Sequence, residues 1–196
     1  LKATGTILTD RFEQALIYAT QLHAEQTRKQ NRTPYIAHLL SVTALVLEDG
    51  GDEDEAIAAL LHDAVEDQGG METLEAIRQR FGSRVAEIVD GCTDAYTIPK
   101  PPWRKRKEDY LHHLEHASPE VRRVSLADKL HNARSILRDL KADGEDVWRK
   151  FNGGKDGTLW YYRSLSDIFN RTGDDWMTAQ FANLVSEIEH LAQIMD

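Results

Sequence analysis

The chain has 196 residues, 41% hydrophobic and 29% charged, with a net charge of −9 and a single cysteine, Cys92. Those figures read as an ordinary globular protein of one domain. They exclude an internal disulfide and a cysteine-rich zinc site, and they speak against a chain that coats nucleic acid. No apolar stretch approaches the ~20 residues that cross a bilayer. Leu1 to Asp10 lacks the charged start and apolar centre of a signal peptide. With one cysteine, these features predict a cytoplasmic protein.

The chain reads as helix after helix. Asp10 and Glu13 have capping-box spacing, and Phe12, Ala15, Leu16, Ala19 and Leu22 recur at helical intervals, which predicts a helix over about 10–27. A basic loop, Gln26 to Thr33, closes at Pro34. Tyr35 to Asp49 is the second helix, stopped at Gly50-Gly51. Asp52 and Glu55 open a third, which carries the apolar run Ala56 to Leu61 and then His62-Asp63-Ala64-Val65-Glu66-Asp67. Met71 to Phe81 is the fourth, and Ser83 caps a fifth that ends at Gly91. Thr93 to Pro102, rich in proline, is a loop. Trp103 to His116 is helical. Ser118-Pro119-Glu120 starts a long helix running to about Asp139. After a glycine-bearing loop, Phe151 to Gly157, the last helices are Thr158 to Asn170 and Asp174 to Met195. No segment alternates with period 2, so the fold class is all-α, a compact helical bundle. The predicted organisation is a single domain over 1–196, with a core at about 10–170 and a C-terminal helix at about 174–195.

The string at His62 carries the strongest chemical signal. Each helical residue turns by about 100°, so His62, Asp63, Glu66 and Asp67 fall within a sector of roughly 140°. Three carboxylates would crowd the last turn before Gly69-Gly70, the end of a helix that already carries partial negative charge. A bound cation relieves that repulsion, so the string predicts a metal site. Further ligands must come from other segments. Two offer them: Thr33-Pro34-Tyr35-Ile36-Ala37-His38, and Ser125 to Asn132, where Asp128 sits among apolar neighbours and needs a partner.

This set resembles the HD-domain metal phosphohydrolases, whose pattern is a His, a His-Asp doublet and a distant Asp. The HD-x-x-ED form, the TPYIxH segment and the LADKLHN segment are similar to the hydrolase domain of the Rel/SpoT alarmone enzymes. Ile98-Pro99-Lys100 with Arg104 to Lys107, and Leu159-Trp160-Tyr161-Tyr162, are similar to its stand-alone members, the small alarmone hydrolases and the metazoan SpoT homologue. The matches span about residues 10–170. No synthetase or regulatory segment follows them, which predicts a hydrolase-only protein.

The resemblance implies that His38, His62, Asp63 and Asp128 bind one Mn2+ or another divalent ion. Two imidazoles and two carboxylates suit such an ion. It implies that Glu66 and Asp67 place the attacking water or take its proton, and that the reaction removes the 3′-pyrophosphate of ppGpp or pppGpp. It implies that Arg28, Lys29, Asn132 and Tyr162 hold the nucleotide. The partner expected is therefore a small-molecule nucleotide, with no nucleic acid and no membrane. Lys100 and Arg104 to Lys107 form a second basic cluster able to steer phosphates. The loop Lys150 to Gly157 departs from the synthetase-hydrolases and leaves the base contacts unassigned. Other substrates stay open, among them the 2′-phosphate of NADPH, as does a non-catalytic nucleotide sensor. His131 reads as a satisfied buried histidine rather than a ligand. His112, His113 and His116 read as surface residues, and the stripe Met177, Phe181, Leu184, Ile188, Leu191 and Met195 as core packing.

Overall fold

The computed structural model describes residues 5–28, 32–96, 99–173 and 175–195. Among them the chain forms α1 (Asp10–Leu22), α2 (Ile36–Glu48), α3 (Glu53–Leu61), α4 (Ala64–Gln68), α5 (Gly70–Phe81), α6 (Ser83–Cys92), α7 (Trp103–His116), α8 (Pro119–Asp143), α9 (Gly154–Thr172) and α10 (Trp176–Ile194). A 3-10 helix, Gly144–Lys150, joins α8 to α9. The one β feature among these residues is an isolated antiparallel bridge between Thr27 and Pro34, which pinches the basic loop before α2. The all-α expectation holds. None of these helices is long and apolar enough to cross a membrane.

Local chemistry sets most helix ends. At α3 the Asp52 carboxylate accepts from the Glu55 amide at 3.1 Å, and the Glu55 side chain accepts from the Asp52 amide at 2.8 Å, the reciprocal box the spacing predicts. Ser118 caps α8 by accepting from the Val121 amide at 3.3 Å, with Pro119 in the first turn. Two expected caps move. Thr9, not Asp10, caps α1, accepting from the Arg11 amide at 3.3 Å. Gly82, not Ser83, occupies the cap position of α6 at φ +94°, a backbone conformation that suits glycine. The expected first helix also runs too far. It stops at Leu22, because His23 turns inward and its Nδ1 meets Gln26 Oε1 at 2.6 Å. At the other end α8 continues past Asp139 to Asp143, and α9 begins at Gly154, inside the expected loop. Asp174 lies outside the described residues; Asp175 caps α10 by accepting from the Thr178 amide at 2.8 Å.

The main departure is inside the third predicted helix. The chain does not continue as one helix through the His-Asp string. It bends at His62-Asp63, where Asp63 has φ −95° and ψ −3°, and restarts as α4. Glu66 and Asp67 therefore lie in the first turn of a short helix and not in the last turn of a long one. The uniform 140° sector does not apply across the bend.

The core forms around α3 and α8. Ala56 to Leu61 are all fully buried, which is why that run is apolar on every side of the helix. α3 packs against α1, α2 and α6, and α8 packs against α2, α6 and α10. Gly91 lets α6 approach α8, since a Cβ there would meet Val121 Cγ2 at 2.6 Å. The α10 stripe is core over most of its length: Met177, Phe181 and Ile188 are buried, Leu184 and Leu191 pack against them partly buried, and the Phe181 ring meets Phe169 edge-on at 5.6 Å, but Met195, expected in the stripe, is exposed just past the helix end. Each such buried side chain stabilises the fold by about 1.5–3 kcal/mol.

Candidate metal centre and active site

Four predicted ligands converge from three places: His38 in the first turn of α2, His62 and Asp63 at the α3–α4 bend, and Asp128 in the middle of α8. His38 Nε2 lies 3.2 Å from Asp128 Oδ1 and 3.6 Å from Asp63 Oδ2. His62 Nε2 lies 3.0 Å from Asp63 Oδ2 and 3.6 Å from Asp128 Oδ1. One ligand atom each from His38, His62 and Asp128 falls within 4.8 Å of the others. Both histidines are buried, and neither Nε2 makes a well-aligned hydrogen bond despite the nearby oxygens.

The other ring nitrogens explain that orientation. His62 Nδ1 is 2.8 Å from the Ala59 carbonyl, which can only accept, so Nδ1 carries a hydrogen and the Nε2 lone pair of the neutral ring points inward. His38 Nδ1 lies 2.8 Å from His131 Nδ1. Burial opposes charge throughout this cluster. For His62 it is outweighed by Asp63 and Asp128, which raise its pKa well above the ordinary range. For Asp63 burial is outweighed by His62 and His38, and for Asp128 by Lys129 and both imidazoles, so both carboxyls are held well below theirs. Two inward imidazole nitrogens facing two ionised carboxylates form a donor set that fits a divalent cation in place of a proton.

The carboxylates are themselves braced. Tyr35 donates its hydroxyl to Asp63 Oδ2 at 2.5 Å, and burial together with Asp63 keeps that phenol protonated. Lys129 Nζ donates to Asp128 Oδ2 at 2.6 Å, and Asn132 Nδ2 donates to Oδ1 at 2.5 Å. Asn132 Oδ1 in turn accepts from Arg28 Nη2 at 2.9 Å. The basic loop is thus joined through Asn132 to Asp128.

Glu66 and Asp67 stand at the rim. Glu66 Oε1 accepts from Lys100 Nζ at 2.5 Å, and Asp67 Oδ2 accepts from Gln26 Nε2 at 2.8 Å. Burial first, then Asp94 and Asp63, raise the Glu66 pKa; burial and Asp63 raise that of Asp67. A cleft of about 300 Å³ is lined by Arg28, Tyr35, Asp63, Glu66, Lys100 and Asn132. A second chamber of about 290 Å³ shares Arg28 and Asn132 with it, and its walls include Trp103, Lys107, Tyr161 and Tyr162. The Tyr161 hydroxyl is buried without a partner among the described residues.

The predicted substrate residues separate. Arg28 and Asn132 meet at the junction of the two spaces, and Tyr162 is buried in the wall of the second. Lys29 lies outside the described residues, as does Ile98. The second basic cluster divides: Lys100 enters the cleft, Arg106 and Lys107 pair with Asp94 at 2.5 Å each, and Lys105 pairs with Asp109 on the exterior. Arg104 lies over the Trp160 ring, 3.3 Å from its centroid. His112, His113 and His116 are exposed, as expected. His112, Glu115 and His116 have the spacing of a ligand group, but Arg171 engages Glu115 at 2.7 Å. Sequence reasoning missed Tyr35, Gln26, Lys129 and Tyr161. All four stand inside segments that the motifs mark, Lys129 beside Asp128 and Tyr161 beside Tyr162, but nothing in the sequence separates them from their neighbours.

Residues 15–159 match the HD-domain family. The chain belongs to that family. Within it, the chain is 41% identical over 138 residues to the guanosine-3′,5′-bis(diphosphate) 3′-pyrophosphohydrolase MESH1 of Xenopus tropicalis, covering 69% of this chain and 72% of that one. The human MESH1 is 38% identical over 128 residues, 64% and 69% of the two chains. A guanosine-3′,5′-bis(diphosphate) 3′-pyrophosphohydrolase of Aquifex aeolicus is 37% identical over 130 residues, 65% of this chain but 18% of that longer protein. Among solved structures, a metazoan orthologue of SpoT described as hydrolysing ppGpp superposes with a TM-score of 0.70 at 26% identity, covering 97% and 98% of the two chains. The HD-domain chain therefore resembles the stand-alone Rel/SpoT type named by the sequence motifs.

Proposed function

We propose that this HD-domain enzyme hydrolyses the 3′-pyrophosphate of ppGpp or pppGpp, taking up one water and releasing pyrophosphate with GDP or GTP. The observation that carries the reading is the pair of buried Nε2 atoms, on His38 and His62, aimed at Asp63 and Asp128 beside a cleft with a carboxylate rim. His38, His62, Asp63 and Asp128 would hold one divalent cation, in our reading Mn2+. When bound, such an ion polarises a phosphoryl oxygen and makes water a stronger nucleophile near neutral pH.

The chain's own groups do the rest. Tyr35 and Lys129 fix the ligand carboxylates, so that the site is formed before substrate arrives. Glu66 and Asp67, at the rim, orient the attacking water, and Glu66 takes its proton. Its raised pKa suits a group that must hold that proton after the attack. Arg28, with Lys29 alongside it in the chain, and Lys100 supply positive charge to the departing pyrophosphate in a protein that is acidic as a whole. Asn132 and Tyr162 direct the nucleoside into the second chamber. We take the whole chain as one unit acting in the cytoplasm on a small nucleotide.

Incubation of the purified chain with Mn2+ and a panel of nucleotides, resolved by anion-exchange chromatography, tests the reading. The expected result is stoichiometric pyrophosphate from ppGpp. Glu66→Gln should lower turnover by about 10²–10⁴-fold while keeping nucleotide and Mn2+ binding. Cleavage of NADPH with ppGpp left intact would overturn the substrate. Tight nucleotide binding with no cleavage of either would make the protein a sensor.

A further inference from the structure

His38 faces a choice that His62 does not. A backbone carbonyl fixes the hydrogen of His62 on Nδ1. The His38 ring is 1% exposed and has a possible acceptor on each side: His131 Nδ1 at 2.8 Å from its Nδ1, and Asp128 Oδ1 at 3.2 Å from its Nε2. With the hydrogen on Nε2, that hydrogen faces Asp128 without a well-aligned bond to it and occupies the side a cation would take. With the hydrogen on Nδ1, the ring donates to His131 and leaves its Nε2 lone pair facing Asp63 and Asp128. The short nitrogen–nitrogen contact requires one ring to donate and the other to accept. His131 stands one helical turn beyond Asp128 on α8, with the ring centroids of His38 and His131 4.8 Å apart. One helix thus delivers both a ligand and the partner of another ligand.

We infer that His131 is a positioning residue that selects the metal-ready tautomer of His38 by accepting its Nδ1 hydrogen. The inference rests on the metal-dependent reading above. It predicts that Mn2+ binding depends on an acceptor at position 131 even though His131 is not a ligand. Loss of such a ligand partner typically weakens metal binding by about 10–100-fold.

The test uses wild type, His131→Gln, which keeps a side-chain carbonyl, and His131→Phe, which has no acceptor; His131→Met replaces Phe if that ring is not accommodated. Ring 15N shifts of His38 in metal-free protein should show hydrogen on Nδ1 in wild type and H131Q, and on Nε2 in H131F. Mn2+ affinity by calorimetry should fall about 10–100-fold in H131F and recover for the most part in H131Q. Equal affinity in H131F and wild type, or equal weakness in H131Q and H131F, overturns the inference alone. A wild type that binds no divalent cation overturns the metal reading and this inference with it.

Discussion

Lys100 holds the carboxylate oxygen that we assign to proton abstraction, and that contact has a readable sign. Its ammonium lowers the Glu66 pKa against the raising effects of burial, Asp94 and Asp63. Lys100→Met should therefore raise the Glu66 pKa further. The base must be ionised to work, so the acid limb of kcat should move to higher pH, checked by a pH–rate profile. A second pH effect belongs to Asp94. Burial alone would raise its pKa, but Lys107 and Arg106 outweigh burial and hold the carboxyl at about 2. A depressed carboxyl adds stability that is complete above its unfolded pKa and is lost as pH falls from about 4 to about 2. The amount is on the order of 2 kcal/mol. Urea midpoints at pH 7 and pH 2.5 should differ less in Asp94→Asn than in wild type.

At the scale of elements, the box at the start of α3 anchors the helix that ends in His62. Asp52→Ala removes the cap, which typically costs about 1 kcal/mol, and also removes the Asp52 contact of Arg84 at 2.7 Å, leaving Arg84 on Asp54 at 3.2 Å. A lower urea midpoint with unchanged slope is the expected outcome. The close approach of α6 to α8 is the other pressure point: Gly91→Ala pushes a methyl into Val121 and should destabilise by about 1–3 kcal/mol, seen as a lower Tm. These two contacts also mark the limits of the sequence. The Asp52–Glu55 box was legible because it is local, and the buried run Ala56 to Leu61 because its period is unmistakable. His38, His62, Asp63 and Asp128 were legible as a motif. The bend at His62-Asp63 was not, since Leu60 to Asp67 has no glycine or proline to announce it. It coincides with distant contacts, Tyr35 on Asp63, and His38 of α2 and Asp128 of α8 facing the turn. Gln26 and His131 were illegible as participants for the same reason: each acts through a residue far away in the chain.

At the scale of the molecule, an acidic protein places four cations around one opening. Arg28, Lys100, Lys107 and Lys129 all line the cleft or the chamber joined to it. A ligand that binds only the folded state adds stability by mass action, about 2.7 kcal/mol at a hundred times its Kd. Saturating Mn2+ should raise the Tm of wild type, a chelator should reverse the rise, and Asp128→Ala should abolish it, all by calorimetric melting. The chamber wall carries a further consequence. Trp103 seats its ring against two glycines of the α9 start: a Cβ at Gly153 would lie 2.5 Å from Trp103 Cη2, and one at Gly157 3.2 Å from the same atom. The width of the second chamber is therefore set by absent side chains facing one large one. Single-codon changes at Gly153 or Gly157 would displace the indole, and a smaller residue at 103 would leave a matching hole. In the reading proposed above, where the chamber takes the nucleoside, a bump-and-hole exchange at this wall would change substrate preference without touching the residues assigned to the chemistry.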